Sequence, residues 1–246
     1  MHPEICNIGP FTVYAYGLML VAAFTASSLL ASRQAKKENI NPEIIFNLLF
    51  FVFVCGILGA RIFYVIENIS YYLKNPKEII MLQHGGLAWF GGLFFGFISS
   101  ILYLKYKRLH IFRVLDLVIP FVALAQSIGR IGCLLNGCCF GKTAKEFGVY
   151  FKAHDAVLIP TQIYSSLFLL AIFMLLRFLQ DKPHKEGQIF FAYLLLYSLK
   201  RFFIEFWRAD NPIIFCGLTL FQLISVAIFC ISLSYAYFSC KKIPSR

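Results

Sequence analysis

The sequence predicts an all-α, polytopic integral membrane protein of about seven transmembrane helices, with the N-terminus outside and the C-terminus cytoplasmic. Three observations carry that reading. Of 246 residues, 59% are hydrophobic and only 14% are charged, and the mean hydropathy of +0.73 lies outside the range of soluble domains. The apolar material is divided into runs of roughly 20 residues, the length a helix needs to cross the hydrocarbon core. The lysines and arginines are shared unequally between the segments that join those runs.

The runs are 11–31, 43–66, 86–106, 114–136, 161–180, 188–206 and 217–240. The first lacks a cationic start and is too long for a signal-peptide core, so it reads as a retained span. The third opens with Gly85-Gly86 and Gly91-Gly92, followed by Gly96, and small residues at such spacing let helices approach closely. The fourth and sixth carry charge. No repeat, low-complexity tract or Gly/Ser linker divides the chain, which reads as one helical domain over 1–246. Its longest outer segment, 137–160, carries Lys142, Lys145, Glu146, Lys152, His154 and Asp155 and suits a small cap or interfacial hairpin.

With the N-terminus outside, thirteen lysines and arginines fall on inner segments, six on outer ones and four (Arg61, Arg130, Lys200 and Arg201) within spans. The inner excess fixes the orientation. It also accounts for most of the net charge of +11, so nucleic acid is not called for, and anionic lipid is the expected partner.

Charges inside the runs point to function. Arg130 ends the apolar stretch 117–128, flanked by Gly129, Gly132, Gly137 and Gly141. An arginine at a helix centre in lipid costs about 3 kcal/mol or more, so it is retained for a ligand or partner. In the sixth run Tyr197, Arg201, Glu205 and Arg208 recur at i, i+4, i+8 and i+11, within about 80° of one helix face. Arg201 with Glu205 reads either as an internal ion pair that orients helices or as an anion site in which the glutamate holds the arginine. Two arginines from two helices, Arg130 and Arg201, suit a phosphate, because guanidinium forks bind phosphate oxygens and keep their charge when desolvated. In a bilayer that phosphate is a phospholipid headgroup. Arg61 is expected to snorkel toward the outer interface.

Of eight cysteines, Cys55, Cys230 and Cys240 read as small apolar packing residues. Cys133, Cys138 and Cys139 cluster beside Arg130. C-x4-C-C without a neighbouring histidine is a weak metal pattern, so no metal or cofactor is expected and a packing role is preferred. A disulfide from Cys138 or Cys139 to Cys6 or Cys216 stays open.

The chain resembles the prolipoprotein diacylglyceryl transferases in the order of its motifs. These are Ile8-Gly-Pro with Tyr14-Ala-Tyr-Gly-Leu18, Gly59-Ala-Arg-Ile-Phe-Tyr64, Gly85-Gly-Leu-Ala-Trp-Phe-Gly-Gly92 and Asp116. They continue with Gly129-Arg-Ile-Gly132, Asn136-Gly137, Gly141, Pro160-Thr-Gln-Ile-Tyr164, Tyr197, Arg201-Phe-Phe-Ile-Glu205, Arg208 and Leu220-Phe-Gln222. The resemblance implies a multi-pass protein of the bacterial inner (plasma) membrane. It further implies transfer of the diacylglyceryl group from phosphatidylglycerol to the lipobox cysteine thiol of a prolipoprotein, releasing glycerol 1-phosphate. It places the family's phospholipid-binding arginine on Arg130 and its second essential arginine on Arg201. Tyr16 and Asn136 match functional positions, and Tyr197, Glu205 and Arg208 join the substrate-binding set.

Four positions depart from the family pattern. Phe90 stands where the family has the histidine of its third-span motif, Cys133 replaces an asparagine, Cys138 a glutamate, and Ile159 a further histidine. These departures leave two readings open: the transfer proceeds without that histidine, with Tyr16, Tyr197 or an arginine-bound water handling the proton, or the fold and phosphate site serve a different acceptor or no catalysis.

Overall fold

A computed structural model of the chain describes residues 4–8, 11–81, 85–144, 148–151, 154–209, 211–215 and 217–241. His84, Lys145, Glu146, Lys152, Cys216, Lys242 and Arg246, and the side chains of Cys6 and Cys240, lie outside the described residues. The fold is predominantly helical. Its long helices are α1 (Ala15–Lys37), α2 (Pro42–Glu67), α4 (Trp89–Tyr106), α5 (Ile111–Asn136), α6 (Thr161–Gln180), α7 (Gln188–Glu205) and α8 (Leu220–Lys241). A single turn, α3 (Ile69–Tyr72), follows α2.

Among the described residues five helices, α1, α2, α5, α6 and α8, are long and apolar enough to cross a membrane. The apolar stretch of α4, Phe90–Tyr106, is shorter, and α7 carries Lys200, Arg201 and Glu205.

Among the described residues three antiparallel hairpins supplement the helices: β1 (Glu4–Ile8) with β2 (Phe11–Tyr14), β3 (Val149–Phe151) with β4 (Ala156–Leu158), and β5 (Ile213–Phe215) with β6 (Leu218–Thr219). The first run therefore begins as a strand, where β-branched Thr12 and Val13 favour extended backbone. The second hairpin lies in the expected cap segment.

The chain forms two compact units, one of Ser28–Val114 and one of Met1–Ser27 with Leu115–Arg246. In the first, α2 packs on α4 along a seam of glycines. A Cβ on Gly59 would fall 2.4 Å from Phe95 Cβ, and one on Gly91 would fall 2.4 Å from Gly59 O. That seam is the close approach the glycine spacing predicts.

Arg61 corrects the sequence reading. It does not snorkel: it is 5% exposed and its guanidinium donates to five carbonyls. Nε bonds Ile79 O at 3.0 Å, one terminal nitrogen bonds Gly85 O and Gly86 O at 2.5 and 2.9 Å, and the other bonds Glu78 O and Met81 O at 2.5 and 3.1 Å. The Tyr72 ring lies 5.3 Å away. A buried guanidinium needs its five N–H groups answered. Here the backbone that follows α2 turns back to answer them, with Gly85 and Gly86 at φ near +80°.

In the second unit a core of Ile119, Ala123, Ile172, Leu176, Ile189 and Tyr193 joins α5, α6 and α7. Ser127 and Ser166 exchange hydroxyl-to-carbonyl bonds of 2.9 Å across α5 and α6. The buried Asp116 on α5 accepts from the N–H groups of Gly187 (2.5 Å) and Phe190 (2.8 Å), capping the start of α7. Gln180 bonds the carbonyls of Asp116 and Leu117, so one corner ties three helices.

Arg61→Ala removes five hydrogen bonds and leaves the carbonyls of the 78–86 segment unanswered. It is expected to lower stability by about 3 kcal/mol or more, read as a lower unfolding midpoint in detergent and faster protease cleavage within 76–86. Arg61→Lys, with three donors, should keep part of the stability. Equal midpoints for Arg61→Ala and the unsubstituted chain would remove the carbonyl cage as a structural support.

Candidate functional site

The polar stripe of α7 is a built ion pair. Arg201 lies 3.1 Å from Glu205 Oε2, with side chains 13% and 0% exposed. The contact is ionic rather than an aligned hydrogen bond. Glu205 Oε1 accepts from Thr219 Oγ1 at 3.0 Å and Asn211 Nδ2 at 2.5 Å. Thr219 is itself fixed by a capping box at the start of α8: its N–H donates to Gln222 Oε1 at 2.9 Å, and the Gln222 N–H donates back to its hydroxyl at 3.4 Å. The Arg201 guanidinium lies 4.4 Å from the centre of the Phe221 ring. The glutamate thus holds the arginine, while the turn into α8 holds the glutamate.

Arg130 sits near the end of α5 and is within electrostatic reach of both Lys200 and Arg201. Lys200 is buried, its ammonium 4.4 Å over the Tyr197 ring, and Arg208 acts on both Lys200 and Arg201. Four basic side chains, three of them arginines, therefore share one region with the carboxylate of Glu205. Such a concentration of basic groups in apolar surroundings has the chemistry to attract an anion.

The end of α5 folds back on itself. Gly137 takes φ +75°, its N–H donates to Leu134 O, and the Cys138 N–H donates to Cys133 O, both at 3.1 Å. That pair of bonds is a Schellman cap, which brings the side chains of the third-last helical position and the second residue beyond the cap together. Those residues are Cys133 and Cys138. With Cys139 their sulfur atoms all lie within 4.8 Å of one another. Thr161 Oγ1 and Gln162 Nε2 clamp the following backbone, donating to Cys139 O at 2.7 Å and Cys138 O at 2.6 Å.

Gly141 is wedged where a Cβ would meet Trp207 O at 2.7 Å and Ile159 Cβ at 2.8 Å. This close passage bridges residue 141 to Arg208. Hydrogen bonds from the Cys133 and Cys138 thiols, and then the charges of Arg130 and Arg208, hold the Cys139 thiol well below its ordinary range.

Tyr16 and Asn136 complete the set. A Cβ on Gly132 would stand 3.0 Å from Met19 Cβ and 3.3 Å from Tyr16 Cδ2, so a glycine there lets α5 run close beside the start of α1. Tyr16 feels Arg130 and the three cysteines, and the Asn136 amide reaches the Cys138 thiol.

The residues read from sequence, Tyr16, Arg130, Asn136, Tyr197, Arg201, Glu205 and Arg208, all lie in the same compact unit. Phe90 lies in the other. It is 48% exposed and shares an apolar groove of about 430 Å³ with Phe63, Leu93, Phe94 and Phe97. Cys138 and Cys139 are free thiols, and the two partners considered for a disulfide, Cys6 and Cys216, lie outside the described side chains. Sequence reasoning missed Lys200, Asn211 and Thr219. The Thr219-x-x-Gln222 capping-box pattern was a signal for the last of these. Nothing in the sequence marks Asn211, which reaches Glu205 only through the turn after α7.

Glu205→Ala leaves Arg201 buried without its counter-charge and strands the Thr219 and Asn211 donors. It is expected to cost about 3–5 kcal/mol of stability, measured by thermal unfolding in detergent. Glu205→Gln, which still accepts from Thr219, should lose less. Equal losses in the two variants would count against the ion pair as the stabilising element.

The profile of the prolipoprotein diacylglyceryl transferase family matches residues 3–238. The chain is similar to the phosphatidylglycerol–prolipoprotein diacylglyceryl transferase of Clostridium tetani, 38% identical over 218 residues that cover 85% of this chain and 86% of that protein. The protein of the same name from Streptococcus mutans is 34% identical, with coverage of 92% and 90%. That from Staphylococcus aureus strain MSSA476 is also 34% identical, with coverage of 94% and 87%. On the profile match and these identities, the chain belongs to the prolipoprotein diacylglyceryl transferase family.

Proposed function

We propose that this chain transfers the diacylglyceryl group of phosphatidylglycerol to the lipobox cysteine thiol of prolipoproteins, the first step of lipoprotein maturation. The observation that carries the chemistry is the set of four basic side chains, Arg130, Lys200, Arg201 and Arg208, gathered with the carboxylate of Glu205. The thiol loses its proton, the sulfur attacks the glyceryl carbon, and the carbon–oxygen bond breaks with its electron pair on the phosphate. Glycerol 1-phosphate leaves with one more negative charge than the diester carried. Preorganised cations lower the energy of that developing charge.

In this reading Arg130 and Arg201 hold the phosphate, with Arg208 adding to the field and Lys200 available as a hydrogen-bond donor. Glu205 and Tyr197 position Arg201 and Lys200, and Tyr16 and Asn136 face the acceptor thiol. The chain sits in the bacterial inner membrane with seven crossings, the N-terminus outside and the C-terminus cytoplasmic. This topology gives the site to the outer face, where a secreted precursor presents its cysteine. Support comes from the seven long helices and from the excess of lysine and arginine on the inner segments.

The test is transfer of mass-tagged diacylglyceryl from phosphatidylglycerol vesicles to a lipobox peptide. Arg130→Ala and Arg201→Ala should each lower kcat/KM by about 10²–10³. Arg201→Lys should recover part of the loss, since a point charge replaces a bidentate fork. Phe90, in its apolar groove, favours a second reading in which the phosphate site serves a different acceptor. Phosphatidylglycerol binding without any peptide product would select it.

A further inference from the structure

From the three converging sulfur atoms we infer that Cys133, Cys138 and Cys139 form a tri-thiolate site for a zinc ion whose fourth position takes the acceptor thiol of the substrate. The inference rests on the transfer reading and supplies it with a way to activate the thiol.

The geometry is close to what zinc requires. Zinc–sulfur bonds of about 2.3 Å in a tetrahedral site set the sulfur atoms about 3.8 Å apart. The three here lie within 4.8 Å of one another, so binding draws each pair together by no more than about 1 Å. The backbone beneath them is fixed before any ion arrives. The Schellman cap ties Cys138 to Cys133, and Thr161 and Gln162 hold the carbonyls of Cys139 and Cys138.

Gln162 is 1% exposed, and among the described residues its Oε1 accepts no hydrogen bond, although its Nε2 is bound to Cys138 O. A buried acceptor left open beside the cluster awaits a donor, as a metal-bound water would be before the acceptor thiol displaces it. Arg130 and Arg208 act on Cys139, and their charges suit a zinc centre that three thiolates make negative.

Three protein ligands leave zinc one open position. A thiol bound there is deprotonated by the metal, whereas a free thiol of pKa near 8.5 is only about 3% ionised at pH 7. The balance closes without another reactant. The acceptor thiol gives its proton to water on binding, and its sulfur lone pair forms the carbon–sulfur bond. The carbon–oxygen pair leaves on glycerol 1-phosphate, and the neutral thioether, a weak ligand, departs. No imidazole is needed, in keeping with Phe90 at the family's histidine position.

The test uses the full chain in detergent or nanodiscs, stripped of metal under reducing conditions and then reloaded with Zn2+ or Co2+. One Zn2+ should bind per chain, and Co2+ should give an intense thiolate charge-transfer band. That band should strengthen when a lipobox peptide carrying cysteine is added, and not when the peptide carries serine. Metal-free protein should transfer diacylglyceryl about tenfold or more slowly at pH 7, with a ceiling near 30-fold from thiolate population alone, and Zn2+ should restore the rate.

Cys138→Ser and Cys139→Ser should lose the cobalt band while retaining phosphatidylglycerol binding, which also reports that they fold. Full transfer by the metal-free chain, no stoichiometric Zn2+ uptake, or a disulfide among the three cysteines in native membranes would each overturn the zinc site and leave the transfer reading standing. A peptide-dependent cobalt spectrum with no diacylglyceryl product in any metal state would instead support the thiol-binding site and remove the transfer reading.

Discussion

A guanidinium cannot shed its charge in apolar surroundings, and the way each buried arginine is answered organises this protein. Arg61 is answered by backbone, with five carbonyls of the segment that follows its own helix folded over it. Arg201 is answered by Glu205 and by the face of Phe221. These two solutions have different consequences. The first consumes every donor of the arginine and makes it architecture. The second leaves a fork beside Arg130, Lys200 and Arg208, and it is this fork that the proposed phosphate would occupy.

The cation cluster also constrains its neighbours. Glu205 cannot be a free carboxylate among so many donors, so the turn between α7 and α8 is committed to holding it, through Asn211 and Thr219. Thr219 in turn is set by the first turn of α8. Gly141 and Gly132 belong to the same logic from the other side. Each marks a place where chain meets chain too closely for a Cβ, and each brings a candidate site residue, Arg208 or Tyr16, toward the end of α5.

Much of this was legible in the sequence because it is local. The i, i+4 spacing of Arg201 and Glu205 fixes their pairing wherever α7 lies, and the apolar runs mark the helices to within a few residues. What the sequence hid is non-local. Arg61 reads as a snorkelling cation because its carbonyl partners lie 17 to 25 residues downstream and carry no side-chain signature. Lys200 hides beside Arg201 because adjacent positions on a helix point about 100° apart. The cysteines read as a poor metal pattern by spacing alone, since C-x4-C leaves a straight helix with the two side chains on different faces. The Asn136-Gly137 helix stop changes that geometry, and only the cap makes residues 133 and 138 neighbours.

Asp116 has a reach well beyond its own surroundings. By holding the N–H groups of Gly187 and Phe190 it fixes the azimuth at which α7 begins. Arg201 is 14 residues on, about 21 Å along the axis and within a few tens of degrees of the same face as Gly187. The carboxylate therefore works as the index pin of a shaft. A small rotation allowed at one end would carry Arg201 and Glu205 together away from Phe221 and Thr219 at the other, so the placement of that pair is set in part almost four turns of helix away from it.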